Sequence, residues 1–513
     1  MCGIICEIVF SENSLFKDKK LLQRIKNRGP NCCRAVEIDM GNGIKVNFCG
    51  AVLWMRGPTI IPQPVESDHG LLLYNGDIFN ETWDINANDT LVILEKLGQV
   101  ENFADIHIIN ELKQLRGPFS MIYYDKHTHN LYFMRDRIGR NTLLFHKSDQ
   151  SIVISSVLGR KYKCIEIPAT HIYVLNVLTN TIRSHPWDNG YSVEEHVLQH
   201  WYDKIQTLQS LPDEEFTFEF DHLDDLNEGE DIVGYIESTA KETKCKLKLM
   251  EKLLEHPIIA ETVTKIMELL ENSIKMRLRT QPFKCKECLM KSDPCIHCTV
   301  GILFSGGLDC TILAFLSHKY VPKDQSIELM NVAFKKDDNS SYEVPDRLTG
   351  RQSFKELKAL FPSRKWVFRE INVSKEELEE CQRTSIADLV HPRQTILDES
   401  LGSALWFAAR GHDEHSVSSS RVLLIGSGAD ELFGGYTRHR NAYKRQNWTG
   451  LQKELYLDWK RISFRNLARD DRVISDHGRY PRAPYLEENV VDYVLNLKPW
   501  LKLVNNTFYL DII

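Results

Sequence analysis

The chain has 513 residues, of which 42% are hydrophobic, 26% charged and 10% aromatic. This length predicts two to four domains at roughly 100 to 200 residues each, and the near-average composition excludes collagen, coiled coil and wholesale disorder. The 64 basic and 71 acidic side chains give a formal charge of −7, which provides no general attraction to nucleic acid or to anionic lipid. We therefore expect neither nucleic acid nor membrane as a partner.

The N-terminal stretch MCGIICEIVFSENS lacks the cationic start of a signal peptide. No apolar run approaches the roughly 18 residues needed to cross a bilayer. We therefore expect a cytoplasmic protein. In that compartment the 13 cysteines, an odd number, should be reduced thiols, metal ligands or catalytic groups rather than a disulfide framework.

Residues 1–156 consist of short β-type runs separated by Gly, Asn, Asp and Pro turns, which predicts a mainly antiparallel sheet. One helix is predicted from about Asp89 to Leu97, capped by Asn88 or Asp89. The acidic run of residues 211–231 predicts a linker between domains.

After the linker, apolar residues at helical spacing from Ile259 to Ile274 predict an amphipathic helix. Four apolar runs then alternate with helical stretches, which is typical of a parallel α/β sheet. The predicted strands are residues 300–304, 327–334, 366–373 and 421–425.

The first candidate catalytic group is Cys2. Removal of Met1, which is normal before so small a residue, would give this cysteine a free α-amine. With a pKa of about 8, that amine can accept the thiol proton without a histidine partner. The motifs Arg28-Gly29-Pro30-Asn31, Arg56, Asn75-Gly76-Asp77 and Asn88-Asp89-Thr90 follow in that order. Together with Cys2-Gly3-Ile4, this set resembles the class II glutamine amidotransferases, which hydrolyse glutamine and release ammonia.

The resemblance implies a role for each of these residues. Cys2 would be the nucleophile, the Asn75 side chain and the Gly76 N–H would form the oxyanion hole, and Arg56 would pair with the glutamine carboxylate. Asp89 would hold the glutamine ammonium. Asp77 would bind substrate from a position where relatives usually have glutamate, and Arg56-Gly57-Pro58 departs from the usual Arg-Leu.

A second motif follows the strand at residues 300–304. Ser305-Gly306-Gly307-Leu308-Asp309-Cys310 precedes a predicted helix, and a strand, a glycine turn and a helix N-terminus together form an anion cradle. The Gly-Lys-Ser/Thr ending of a Walker loop is absent. The motif is similar to the SGGxDS loop of the ATP pyrophosphatases, with Cys310 at the serine position, and GSGADELFGGY follows at residues 426–436.

The two halves together resemble the glutamine-hydrolysing asparagine synthetases. Residues 344–351 and 465–478 look like the subgroup of asparagine synthetase domain-containing proteins. The implied fold class is α/β and α+β, with an αββα N-terminal-nucleophile glutaminase at 1–185 and a linker with the acidic run at 186–255. A parallel α/β ATP-pyrophosphatase domain, of the adenine nucleotide alpha-hydrolase-like type, would follow at 256–513.

The implied substrates are glutamine, aspartate and ATP. ATP would adenylate the aspartate side chain, and ammonia arriving through a hydrophobic tunnel would displace AMP to give asparagine. Asp309 and Asp430 would hold Mg²⁺ on the pyrophosphate. The remaining ATP contacts implied by the resemblance are Leu303, Ser305, Gly306, Gly307, Leu308, Cys310, Val332 and Gly426.

Three departures from the family pattern concern the synthetase half. Ser427 and Tyr480 stand where relatives usually have glutamates, and the sequence ends at TFYLDII soon after the last match. One alternative is therefore a degenerate pseudo-synthetase that binds nucleotide or a partner protein. Another is a glutamine-dependent ligase for a different carboxylate.

Four cysteines form a separate pattern. Cys285, Cys288, Cys295 and Cys298 have the spacing CxxC-x6-CxxC, which predicts a structural zinc ion ahead of the ATP strand. The alternatives are two unrelated pairs of thiols or a docking module for nucleic acid or protein. The docking module would use the neighbouring Lys284, Lys286 and Lys291.

Overall fold

The computed structural model describes residues 2–11, 13–80, 82–84, 86–100, 105–187, 193–194, 230–243, 245–282, 284–293, 295–337 and 339–502. The chain divides into two compact units. The first contains Met1–Leu211, Leu278–Ile425 and Ser463–Arg482, and the second contains Pro212–Arg277, Gly426–Ile462 and Ala483–Ile513. Nearly all of the predicted acidic linker, and the TFYLDII ending, lie outside the described residues. Within the described residues, no helix is long and apolar enough to cross a membrane.

Two antiparallel sheets form the N-terminal part of the first unit. The first sheet has the order β10-β8-β9-β1-β3-β2 and the second has the order β13-β12-β11-β7-β6-β5-β4. The strands of the first are β1 (Gly3–Val9), β2 (Cys32–Gly41), β3 (Ile44–Val52), β8 (Leu144–Lys147), β9 (Ser151–Ser155) and β10 (Ile165–Glu166). Those of the second are β4 (Val65–Glu66), β5 (Gly70–Gly76), β6 (Phe119–Asp125), β7 (Asn130–Arg135), β11 (His171–Asn176), β12 (Thr181–Pro186) and β13 (Val193–Glu194).

Side-chain alternation along these strands builds two hydrophobic cores. On β6, Ile122 and Tyr124 belong to the core between the two sheets, whereas Met121 and Tyr123 belong to a core on the opposite face of the second sheet. The latter core includes α2 (Asp89–Gly98) and α3 (Asp105–Lys113). Helix α1 (Lys19–Arg28) packs on β1 and β3. The resulting layers are helix, sheet, sheet, helix, as predicted for the αββα glutaminase.

A five-stranded parallel sheet forms the rest of the first unit, with the order β16-β15-β14-β17-β18. Its strands are β14 (Val300–Leu303), β15 (Ile327–Phe334), β16 (Trp366–Val373), β17 (Val422–Leu424) and β18 (Tyr480–Arg482). Its helices are α7 (Leu308–Ser317), α8 (Pro345–Leu360), α9 (Lys375–Cys381), α10 (Ala387–Val390), α11 (Ile396–Arg410) and α14 (Ala468–Ser475). The first four strands were predicted. The fifth was not, because β18 has three residues and a central proline, which is tolerated at the edge of a sheet.

The second unit is helical in its described residues. Its helices are α4 (Glu230–Glu242), α5 (Lys246–Leu253), α6 (Pro257–Arg279, whose last two residues belong to the first unit), α12 (Ala429–Phe433), α13 (Thr437–Ile462), α15 (Glu488–Asn496) and α16 (Pro499–Lys502). The amphipathic helix predicted from Ile259 to Ile274 is α6. Ile236, Leu249, Leu253, Ile259 and Trp500 form a small core in this unit.

Candidate active sites

Cys2 lies at the start of β1, at the wall of a pocket in the first unit. Its neighbour must be glycine, because a Cβ on Gly3 would lie 2.1 Å from the Ile25 carbonyl oxygen of α1. The Arg28 Nε donates to the Cys2 carbonyl oxygen at 3.3 Å. Burial raises the pKa of the Cys2 thiol, and the nearby N-terminal charge opposes this. The thiol therefore needs a local base to become a nucleophile.

Arg56 and Asp89 bring opposite charges to the same pocket. The Arg56 Nη1 donates to the Ile78 carbonyl oxygen at 2.6 Å and lies 3.8 Å from the Asp89 carboxylate. Asn88 caps α2, which places Asp89 in the first turn of that helix. Burial raises the pKa of Asp89 to about 6, with Arg56 lowering it and Asp77 raising it. Among the described residues, no donor hydrogen-bonds to its Oδ2 atom, which is the oxygen 3.8 Å from Arg56 Nη1.

The two predicted oxyanion-hole residues have different positions. Gly76 lines the pocket, and a Cβ there would lie 2.3 Å from the Pro118 carbonyl oxygen. Asn75 is not among the lining residues. Its side-chain Nδ2 donates to Ser120 Oγ at 3.4 Å, and its backbone carbonyl oxygen accepts from Asn141 Nδ2 at 2.8 Å. Only Gly76 of the pair borders the pocket in this structure.

The residues of the pocket wall that were not predicted to be there include Gln63, Tyr74 and Tyr480. The Gln63 Nε2 lies 3.8 Å from the Cys2 sulfur, and its Oε1 accepts from the Tyr74 N–H at 2.8 Å. No motif marked Gln63 or Tyr74. Tyr480 did stand out in the sequence, as a departure in the synthetase half, whereas the structure places its side chain at the predicted glutamine site.

Asp77 links this pocket to the parallel sheet. Its carboxylate lies 2.7 Å from the Arg482 guanidinium, and both side chains are fully buried. The Arg482 Nη2 also donates to the Thr280 carbonyl oxygen at 2.8 Å, and its guanidinium lies 5.1 Å from the Tyr480 ring centre. Asp77, predicted to bind substrate, thus lines the pocket but directs its carboxylate to an arginine of β18.

Other residues of the segment 465–478 also contact the glutaminase fold. Asp471 pairs with Arg28 at 3.1 Å and accepts from the Thr142 N–H at 2.8 Å. Arg472 donates to Thr142 Oγ1 at 2.7 Å and pairs with Glu166. Two residues of a segment that resembles the domain-containing subgroup therefore contribute to the contact between the two folds of the first unit.

The glycine-rich loop joins β14 to α7, as predicted. Gly306 has a φ of 86° and a Cβ there would lie 2.4 Å from the Gly350 nitrogen of α8, so both conformation and space require glycine. Gly307 is the N-cap of α7 and is exposed, together with Ser305 and Leu308. The partly buried Leu303 and Val332 lie on the adjacent strands β14 and β15.

Inside the loop, the side chains of Cys310 and Ser305 bond to the backbone of Gly307. Cys310, at the family's serine position, donates its thiol to the Gly307 carbonyl oxygen at 3.2 Å. The Ser305 hydroxyl accepts from the Gly307 N–H at 3.3 Å. Asp309 is half-buried in the first turn of α7. The loop therefore presents a helix N-terminus, an exposed glycine and a carboxylate, a combination suited to a phosphate and its cation.

The downstream motif lies in the second unit. Gly428 has a φ of 94°, and a Cβ there would lie 2.3 Å from the Leu486 side chain. A Cβ on Gly435 would lie 1.7 Å from Asp430 Oδ1, so the Gly-Gly pair lets the carboxylate and the backbone approach closely. Tyr436 donates to Glu431 at 2.7 Å, and burial raises the pKa of Glu431. Gly426 and Asp430 are both half-buried.

The four predicted zinc ligands do not all meet. Cys285, Cys288 and Cys295 converge, but the fourth member of the group is His297. Cys298 lies outside it, is buried and donates its thiol to the Val300 carbonyl oxygen at 2.7 Å. The predicted set is therefore corrected to three cysteines and one histidine, because Cys298 already begins the approach to β14.

Comparisons with known proteins find a family match in each half of the chain. The asparagine synthase family matches residues 296–450 and 443–508, and a glutamine amidotransferase domain family matches residues 59–160. An asparagine synthetase domain-containing protein of Drosophila melanogaster is 39% identical, with 98% of this chain and 90% of that protein covered. The chain belongs to the asparagine synthetase domain-containing proteins.

Two mammalian relatives also match this chain over nearly its whole length. Asparagine synthetase domain-containing protein 1 of Mus musculus is 34% identical over 98% of this chain and 90% of its own length. The Homo sapiens protein of that name is 32% identical over 98% and 88%. The family combines a glutamine amidotransferase domain with an asparagine synthase domain, so the coarse prediction of a glutamine-dependent synthetase family is confirmed.

Proposed function

We propose that this chain is a glutamine-dependent, ATP-dependent asparagine synthetase, with a glutaminase domain at 1–185 and an ATP-pyrophosphatase domain at 256–513. Glutamine hydrolysis supplies ammonia, and the ammonia attacks an adenylated aspartate to give asparagine, AMP and pyrophosphate. The observation that carries the proposal is the Cys2 pocket, which presents opposite charges for an amino acid and has a residue of the parallel sheet, Tyr480, in its wall.

The charges of the pocket match those of free glutamine. The substrate carboxylate pairs with Arg56, and the substrate ammonium pairs with Asp89, whose Oδ2 accepts no hydrogen bond from a described residue and lies 3.8 Å from Arg56. The Cys2 thiolate, its proton taken by the α-amine exposed when Met1 is removed, attacks the carboxamide carbon. The Gly76 N–H stabilises the developing oxyanion, and Asn75 is the proposed second donor. Ammonia leaves, and water then releases glutamate from the thioester.

The glycine-rich loop supplies the proposed ATP site. The turn at Gly306 and Gly307 brings the N-terminus of α7 to the phosphates, and position 306 requires glycine because a Cβ there would meet the Gly350 backbone of α8. Leu303, Val332 and Gly426 are the proposed contacts of adenine and ribose. Ser305, Leu308 and Cys310 complete the loop. Asp309 in this loop and Asp430 in the downstream motif are each a proposed Mg²⁺ ligand, and the cation would neutralise the pyrophosphate leaving group.

A coupled assay tests the proposal. The purified chain, with Met1 removal confirmed by mass, is incubated with amide-labelled glutamine, aspartate, ATP and Mg²⁺, and glutamate, labelled asparagine, AMP and pyrophosphate are measured together. We expect glutamate, asparagine and AMP to form in step. Cys2→Ala should abolish glutamate formation but retain asparagine synthesis from added ammonia. Asp309→Asn should abolish AMP and asparagine.

Ser427 favours two alternatives for the synthetase half. Relatives usually have a glutamate at this position, and a general acid or base typically contributes about 10² to 10⁴ in rate. Pyrophosphate release with another carboxylate, but not with aspartate, would assign a ligase of different specificity. ATP binding without pyrophosphate release from any carboxylate would assign a pseudo-synthetase.

A further inference from the structure

Three cysteines and one histidine converge in the loop between α6 and β14. The Nδ1 atom of His297 lies 3.7 Å from the Cys285 sulfur, 3.4 Å from the Cys288 sulfur and 3.6 Å from the Cys295 sulfur. All four ligand atoms lie within 4.8 Å of one another. Each side chain therefore directs its donor atom toward one common point.

These distances match a single tetrahedral zinc ion. With zinc to sulfur at about 2.3 Å and zinc to nitrogen at about 2.0 to 2.1 Å, tetrahedral angles put a nitrogen and a sulfur ligand about 3.5 Å apart. The three observed distances of 3.7, 3.4 and 3.6 Å lie around that value. In addition, the backbone N–H of Cys285 donates to the Cys295 sulfur at 3.4 Å, an outer hydrogen bond of the kind that orients metal ligands.

We propose that Cys285, Cys288, Cys295 and His297 bind one structural Zn²⁺, and that this ion fastens the loop to the N-terminal ends of β17 and β18. The four protein ligands fill a tetrahedral shell, which is the arrangement of a structural rather than a catalytic zinc. The site goes beyond the proposed glutamine and ATP chemistry, because none of its ligands lines the Cys2 pocket or belongs to the glycine-rich loop.

Contacts between the ligands and the sheet support the fastening role. The Lys286 N–H, next to the first ligand, donates to the Ser419 carbonyl oxygen at 2.9 Å, and the Lys286 Nζ donates to the His477 carbonyl oxygen at 2.6 Å. The Ser419 hydroxyl donates to the Cys298 carbonyl oxygen at 3.1 Å. Ser419 and His477 each precede a strand, β17 and β18 respectively, by three residues.

The same edge of the sheet reaches the glutamine pocket. Arg421, two residues after Ser419, donates to the Trp54 carbonyl oxygen, and its Nη2 lies 3.5 Å from the Met55 sulfur. Trp54, Met55 and Tyr480 all line the pocket. The zinc-bound loop contacts the residues that precede β17 and β18. It therefore stabilises β18, whose Tyr480 forms part of the pocket wall.

Metal analysis of the full chain, purified without chelator or metal-affinity tag, tests the ligand set. We expect about one zinc per chain, its loss in Cys288→Ser and in His297→Ala, and its retention in Cys298→Ser. Cys298→Ser is the matched control, because it lies beside His297 and keeps a donor for the Val300 carbonyl oxygen. Reconstitution with Co²⁺ should give a tetrahedral thiolate spectrum, and His297→Cys should keep the metal with a shifted charge-transfer band.

Several results would overturn the site: wild-type chain without zinc, an iron–sulfur chromophore, or zinc that survives His297→Ala but is lost in Cys298→Ser. Because variants can fail to fold, the wild-type chain is also dialysed against a chelator and followed by hydrogen exchange. Faster exchange in residues 418–424 and 477–482 is expected, and unchanged exchange there would overturn the fastening role. Zinc content is measured without any enzyme assay, so an inactive chain that binds zinc refutes the proposed function and not the site.

Discussion

The buried ion pair of Asp77 and Arg482 joins the glutaminase fold to the parallel sheet, and substituting either residue tests how much this pair stabilises the protein. At 2.7 Å and an effective dielectric constant of about 20, the attraction is about 6 kcal/mol. Desolvation of two fully buried ions offsets part of it, but removing one partner leaves a lone buried charge and costs about 3 to 5 kcal/mol. We therefore expect Arg482→Met to lower the free energy of unfolding by about 3 to 5 kcal/mol. The substitution should also raise KM for glutamine, because Arg482 contacts Tyr480 in the pocket wall.

The measurement is a double-mutant cycle with Asp77→Asn, Arg482→Met and the double variant, followed by urea unfolding. The double variant should be more stable than the sum of the single losses predicts, because it leaves no lone charge. Lys45→Met is the matched control: Lys45 and Glu37 also lie 2.7 Å apart, but both are about half exposed, so the expected loss is about 0 to 1 kcal/mol. Losses at Asp77 and Arg482 that add within about 0.5 kcal/mol would refute the argument.

Three further predictions concern the two sites. The pKa of Asp89 is raised to about 6, so its carboxylate is charged only above that pH and KM for glutamine should rise as the pH falls through about 6. Asp89→Asn should have a high KM without this dependence, and a KM for the wild-type chain that stays constant between about pH 5 and pH 7 would contradict the assignment. Gly306→Ala should abolish ATP binding measured by calorimetry, because a left-handed φ costs about 1 to 2 kcal/mol and the new Cβ meets the Gly350 backbone. Gly307→Ala, whose nearest contact is Ser305 Oγ at 3.4 Å, should bind ATP nearly normally, and equal losses in both variants would contradict the steric argument. Arg28→Met should lower stability and raise KM for glutamine, since Arg28 holds both Asp471 and the Cys2 carbonyl; unchanged unfolding and kinetics would show that this buried pair is dispensable.

The sequence predicted the elements whose signal is local. The short β-type run of β6 and the apolar runs of β14 to β17 are local patterns of composition, and Asn88 marks the start of α2 through its side-chain cap. Cys2, Arg56, Gly76 and Asp89 could also be predicted, and they do meet in one pocket. Each belongs to a short motif whose residues are close in sequence to the element that positions them.

The missed contributions have two causes. Tyr480 is long-range, and no spacing rule connects position 480 with position 2. Gln63 lies in the same stretch of chain as Arg56 and Gly76 but belongs to no recognised motif. The prediction of Cys298 as a zinc ligand differs from the group that converges in the structure for another reason. The pattern CxxC assumes that both cysteines turn toward one ion, whereas Cys298 extends toward β14 and leaves the ligand position to His297.

The position of Tyr480 changes what its departure from the family pattern means. As a lost glutamate of the synthetase half, it argued for a degenerate enzyme. In the structure its ring lines the Cys2 pocket and lies beside Arg482, which neutralises Asp77. A glutamate at 480 would place a third carboxylate near Asp77 and Asp89, and like charges in so buried a pocket are costly. Tyr480 therefore supports a rearranged glutamine pocket rather than the loss of a synthetase group, and Ser427 remains the departure that bears on synthetase chemistry.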